Sequence, residues 1–187
     1  MRIAISGAQS TGKTTLAHAL VEVLHHSRVE PEPFRVLQTQ LKLVSGAQTM
    51  TPEQELALIQ HNQRRLSALR AAETVVFDRC ALDALAHARV ARDSGNRAFT
   101  DTWLIQLAEE TQRALAVVDL LLVVRIEADV PLAADGVRST DESYRRLVDA
   151  EIARLAESHS QVSEIGGTTP ERVEQVRKLV EAARPSG

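Results

Sequence analysis

Gly7-Ala8-Gln9-Ser10-Thr11-Gly12-Lys13-Thr14-Thr15 is the stretch whose reading decides the fold. It fits Gly-x-x-x-x-Gly-Lys-Ser/Thr, with the apolar run Ile3-Ala4-Ile5 before it and an amphipathic helical pattern after it. Gly7 and Gly12 permit backbone angles that turn successive N–H groups inward, forming a nest for phosphate oxygens. A helix starting near Lys13 aims the positive end of its dipole at the same oxygens. Lys13 brings a flexible point charge for the β- and γ-phosphates, and the Thr14 hydroxyl is placed to ligate Mg²⁺. Gly7, Gln9, Ser10, Thr11, Gly12, Lys13, Thr14 and Thr15 are therefore the expected nucleotide-binding residues.

Outward from this loop, short apolar runs alternate with longer helical patterns. Ile3–Ile5, Thr74–Phe77 and Leu120–Val124 are continuous rather than alternating, as strands buried on both faces of a parallel sheet are. Arg28–Pro33 and Gln161–Ile165 are weaker strand candidates. Thr51-Pro52-Glu53-Gln54 predicts a capped helix running to about Ala71, with Leu56, Ile59, Leu66 and Leu69 on one face. Ser139-Thr140-Asp141-Glu142 offers a second capping box, and Thr169-Pro170 opens a last helix. The alternation predicts an open α/β sheet with right-handed crossovers and helices on both faces.

Composition narrows the partners. A chain of 187 residues suits one domain, 1–187. A net charge of −3 gives no general pull toward nucleic acid or an anionic membrane. Single-stranded nucleic acid is a poor fit too, with five Phe, Tyr and Trp residues in all. One cysteine, Cys80, rules out a disulfide framework and suits a reducing cytoplasm. A monomer or homodimer without nucleic-acid or membrane partners is expected. Only three of the 22 basic residues are lysines, which makes the position of Lys13 more telling.

A second signal is Val75-Val76-Phe77-Asp78-Arg79. An acid at the end of a buried strand is what a phosphate loop uses to reach Mg²⁺ or orient a nucleophile. Asp78 is followed by Arg79 rather than a second acid. That suits a small acceptor, with Asp78 as base or Mg²⁺ organiser and Arg79 holding a polar or anionic group. The bland alternative is a strand-end Asp capping the next helix. The third signal is Ala128-Asp129-Val130-Pro131-Leu132-Ala133-Ala134-Asp135-Gly136-Val137-Arg138, with Arg145 and Arg146 beyond it. A small lid over roughly 127–146 would bring Arg138 onto the transferring phosphate.

The order GAQSTGKTTL, FDRCALDALAHA, DVPLAADGVR and Gly-Gly-Thr-x-x-Glu-Arg resembles the ribosylnicotinamide kinase domains of bacterial NAD metabolism, and equally the wider set of small AAA-like kinases. The resemblance spans most of the chain. It implies a five-stranded parallel sheet of nucleoside-monophosphate-kinase type, ATP with Mg²⁺ as phosphoryl donor, and a nucleoside-like or nucleotide acceptor. By position it implies acceptor contacts from Glu32, Arg35 and Arg79, catalytic roles for Lys13, Asp78 and Arg138, and Mg²⁺ at Thr14 and Asp78. Gly166, Gly167 and Thr168 fall where the adenine ring would pack. Leu132 stands where the family has a tryptophan, and Cys80 where it has a serine.

A competing reading is a nucleotide-dependent switch engaging a protein partner. The chain has no Asn/Thr-Lys-x-Asp guanine-reading motif, and the Thr74–Phe77 run ends in Asp78-Arg79 rather than an Asp-Glu pair. Other residues read as structural. Cys80 packs as a small apolar side chain, Trp103 anchors a helix, and the six histidines show no metal-ligand spacing. Leu43–Gln48 reads as a loop.

Overall fold

The computed structural model describes residues 1–41, 49–69, 73–127 and 141–183. Five parallel strands, β1 (Arg2–Ser6), β2 (Ser27–Glu30), β3 (Thr74–Asp78), β4 (Leu120–Val124) and β5 (Val162–Ile165), pair in the order β2-β3-β1-β4-β5. The loop strand β1 is central, with Ile5 opposite Asp78 on one side and Leu122 on the other. Seven helices lie among the described residues: α1 (Lys13–Val23), α2 (Pro33–Leu41), α3 (Pro52–Ser67), α4 (Ala81–Asp93), α5 (Asp101–Leu115), α6 (Glu142–Ala156) and α7 (Thr169–Ala183).

The continuous apolar strands have a direct cause. Ala4, Val75, Phe77, Leu121 and Val123 pack on one face, in a core with residues of α3, α4, α5 and α6. Their neighbours Ile3, Ile5, Val76, Leu120, Leu122 and Val124 pack on the other face with Leu16, Leu20, Val176 and Val180 of α1 and α7. Each strand feeds two cores, so no position can be polar until the strand ends.

Two expected boundaries shift. The Arg28–Pro33 strand stops at Glu30, and Pro33 instead opens α2. Proline cannot donate to a sheet ladder but fits a first helical turn. The cap of α6 is Asp141, whose carboxylate accepts from the Ser143 and Tyr144 N–H groups; Ser139 lies outside the described residues. The Thr51 capping box forms as the sequence predicts, with reciprocal bonds to Gln54. None of the described helices is long and apolar enough to cross a membrane.

Candidate active site

The C-terminal ends of all five strands gather at one edge, where open α/β sheets present ligand sites. The loop after β1 passes so close to β4 that a Cβ on Gly7 would sit 2.3 Å from the Val124 carbonyl oxygen. Ser10 and Gly12 adopt left-handed angles, φ 57° and 85°. Gly12 precedes α1 without a side-chain cap, leaving first-turn N–H groups for an anion.

Within the loop, the Lys13 ammonium donates to the Ala8 carbonyl and, at 3.2 Å, to Thr11 Oγ1. Burial first, then the nearby Arg79 guanidinium, pull this amine down to about 7. An anion in the nest would restore its charge. Gln9 and Ser10 lend carbonyls to Arg145 of α6, whose Nε donates to Gln9 O at 2.8 Å and Nη2 to Ser10 O at 3.4 Å. Thr15 is exposed one residue past Thr14.

Asp78 closes the other side. Thr14 Oγ1 donates to Asp78 Oδ2 at 2.6 Å, bringing a hydroxyl and a carboxylate together at the rim of the nest. Hard oxygen donors beside a phosphate nest fit Mg²⁺, which takes one or two protein ligands and completes its shell with phosphate and water. Among the described residues no group of three or more His, Cys, Asp or Glu gathers as a metal site. Asp78 does not cap α4. The N-cap is Cys80, whose N–H donates to Asp83 Oδ2 in the first turn at 3.1 Å.

Arg79 occupies the strained junction between β3 and α4, with φ 70°. Its Nε meets Glu32 Oε1 at 2.7 Å, and its Nη1 meets Asp83 Oδ1 at 3.0 Å. Burial disfavours this charge, but Glu32 and Asp83 more than offset it, and the guanidinium stays firmly protonated. The cluster is welded to the loop. Asp83 Oδ1 accepts from Gly7 N–H at 3.3 Å, while Arg79 Nη1 donates to Gly7 O at 3.3 Å. Arg35 pairs with Glu32 at 3.2 Å but leaves most of its side chain in solvent.

Beside this cluster opens a cleft of about 800 Å³ including its mouth. Phe34, Met50, Leu58, Ala84 and Val148 supply apolar walls, while Gln9, Glu32, Arg79 and Asp83 line its loop-side end. The polar lining also includes Glu55 and Asn62 on α3, which the sequence did not single out, and His87 on α4 and Tyr144 on α6. His87 Nδ1 lies 2.9 Å from Tyr144 Oη. Burial, and then the charge of Asp83, push the Glu55 carboxyl well above the usual range despite the opposing pull of Arg79. Asn62 is buried and its Oδ1 lacks a partner. The legible signal was a polar residue at positions 55 and 62, on either side of Leu58 and Ile59 in a buried helix stripe.

Glu127 follows β4 and accepts from the Gly167 N–H at 2.7 Å, which ties the Gly166–Thr168 turn to the end of that strand. Thr168 is tied to Glu171 by bonds of 2.7 Å from both its N–H and its hydroxyl. Arg138 and the rest of 128–140 lie outside the described residues, as does Leu43–Gln48. Residues 142–146 of the expected lid form the first turns of α6, where Arg145 is buried and Arg146 exposed.

The AAA domain family model matches residues 2–172. No curated protein matches the chain. Among solved structures, thymidylate kinase from Candida albicans superposes with a TM-score of 0.73 at 15% identity, covering 96% of this chain and 90% of its own. Deoxyadenosine kinase from M. mycoides, with dCMP and dCDP bound, gives 0.72 at 17% identity, over 98% and 100%. The NadR protein in complex with NR gives 0.73 at 18% identity over 99% of this chain, which spans only 53% of NadR. The chain belongs to the AAA domain family and carries the P-loop fold seen in these nucleoside and nucleotide kinases.

Proposed function

We propose that the protein is a kinase that moves the γ-phosphoryl group of ATP to a hydroxyl of a small, uncharged, nucleoside-like acceptor. The observation that carries this reading is the pair of hydrogen bonds joining Gly7 to Asp83 and Arg79. Through them the phosphate nest and the cleft share a wall, as a transfer between two bound molecules requires.

The nest residues and Lys13 hold the triphosphate. Thr14 and Asp78 would hold Mg²⁺, which when bound neutralises charge on the β- and γ-phosphates. Asp78 is engaged by the Thr14 hydroxyl, which favours an organising role over that of base. Glu32 is the better base. Its carboxylate lies at the loop-side end of the cleft, oriented by Arg79 and Arg35. In the transfer, the acceptor oxygen forms a bond to the γ-phosphorus, its proton passes to Glu32, and the bond to the leaving ADP oxygen breaks.

The lining supports an uncharged acceptor. Glu32, Asp83 and Asp141 face the cleft with Arg79 and Arg145, and both guanidinium groups already serve protein oxygens. A second phosphate would meet carboxylates. The apolar walls suit a planar ring.

The test is ADP release from ATP and Mg²⁺ across a panel of nucleosides, nucleoside monophosphates and ribosylated bases. Release that depends on a nucleoside is expected. Turnover with monophosphates alone would overturn the hydroxyl-acceptor reading, and acceptor-independent hydrolysis stimulated by a protein would favour a switch.

A further inference from the structure

Arg172, in the first turn of α7, is buried against the back of the phosphate loop. Its Nη1 donates to Thr11 O at 2.6 Å, and its Nη2 meets Glu127 Oε1 at 2.9 Å. The same Glu127 oxygen accepts from Gly167 N–H at 2.7 Å. One unbroken chain of bonds therefore runs from the phosphate loop to the turn after β5. A Cβ on Gly12 would lie 3.0 Å from Arg172 Nη1, so the guanidinium packs directly on the Thr11–Gly12 peptide.

A trans peptide directs its C=O and its N–H to opposite sides. With the Thr11 carbonyl held against Arg172, the Gly12 N–H must face away from α7. The arrangement is expensive as packing. The Arg172 Nε is buried without a partner, a desolvation cost that an apolar side chain would avoid. Fold stability alone gives no reason to keep it.

We propose that Arg172, acting with Glu127, is a positioning residue for the donor nucleotide: it fixes the Thr11–Gly12 peptide for the triphosphate and couples it to the Gly166–Thr168 turn, where the family resemblance puts the adenine ring. The proposal rests on the donor half of the kinase reading and is independent of the acceptor. Arg172 touches no reacting atom.

The experiment measures calorimetric affinities for ATP and for inorganic tripolyphosphate, with the melting temperature of each variant. Arg172→Met is expected to weaken both ligands about tenfold, the scale of one charge-assisted hydrogen bond. Arg172→Lys can donate to Thr11 but cannot also span to Glu127. It is expected to regain tripolyphosphate binding while ATP stays weak. Glu127→Gln, at a partly exposed side chain, should keep tripolyphosphate binding and lose ATP affinity. Wild-type affinities in Arg172→Met, whatever its melting temperature, would overturn the proposal. If Arg172→Met does not fold, Glu127→Gln decides: selective loss of ATP supports the coupling, and unchanged or equally weakened ligands overturn it. A wild-type protein binding neither ligand would instead remove the donor site itself, and the proposal with it.

Discussion

Thr14 on α1 and Asp78 at the end of β3 are joined side chain to side chain by a 2.6 Å hydrogen bond across the mouth of the phosphate loop. Two elements far apart in the chain thus present one hydroxyl and one carboxylate to the same point. Asp78→Asn keeps an oxygen able to accept from Thr14 but removes the charge. Its Mg²⁺-supported turnover should fall about a hundredfold, while ATP binding without metal holds. Steady-state rates against Mg²⁺ concentration check this, and wild-type turnover would rule out the assigned role.

Glu32 and Arg79 separate chemistry from architecture. Glu32→Gln should fold, bind ATP normally, and transfer about 10²–10⁴ times more slowly. Arg79→Met strands the buried carboxylates of Glu32 and Asp83, and should cost about 3–5 kcal/mol of stability. Denaturant melts alongside single-turnover rates distinguish the two. A Glu32→Gln enzyme at full speed removes it as base.

Glu55 ties stability to pH. Its carboxyl holds a proton in the folded state well above the pH at which the unfolded chain releases it. The unfolded state therefore binds fewer protons, and stability is lost as pH rises from the ordinary glutamate range toward the raised value. Glu55→Gln cannot ionise and escapes that loss. The melting temperature of Glu55→Gln relative to wild type should climb as pH rises above the ordinary glutamate range, and a flat difference would contradict the protonated state.

Asn62 offers the cleanest split between binding and stability. Replacing a buried amide whose oxygen lacks a partner should cost the fold little. If the cleft holds the acceptor, Asn62→Leu should still raise the acceptor KM about tenfold, with kcat and the KM for ATP close to wild type. Unchanged acceptor KM would place the acceptor elsewhere.

Gly7→Ala should fail for geometric reasons. The added Cβ would come within 2.3 Å of a β4 carbonyl, in backbone that cannot step aside. A loss of about 1–3 kcal/mol is expected by analogy with overpacked cores, together with loss of nucleotide binding. Retained stability with retained binding would mean the loop relaxes freely.

The sequence by itself determined the nest and the sheet, because both are local. Glycines at 7 and 12 set backbone angles without reference to distant residues, and a strand is apolar wherever both of its faces are buried, as Ile3–Ile5, Val75–Phe77 and Leu120–Val124 are. Thr51 and Gln54 fixed the start of α3 within a single turn. Only the tertiary structure decided what surrounds the nest. Arg79 reads as a free cation in Asp78-Arg79 until β2 brings Glu32 against it, and Asp83 passes for a helix residue until it accepts from Gly7. Arg145 and Arg172 resemble any solvated arginine on an amphipathic helix, yet both are buried with carbonyls of the loop as their partners. A charged side chain's role is set by what packs beside it, and for each of these the deciding neighbour comes from another element of the fold.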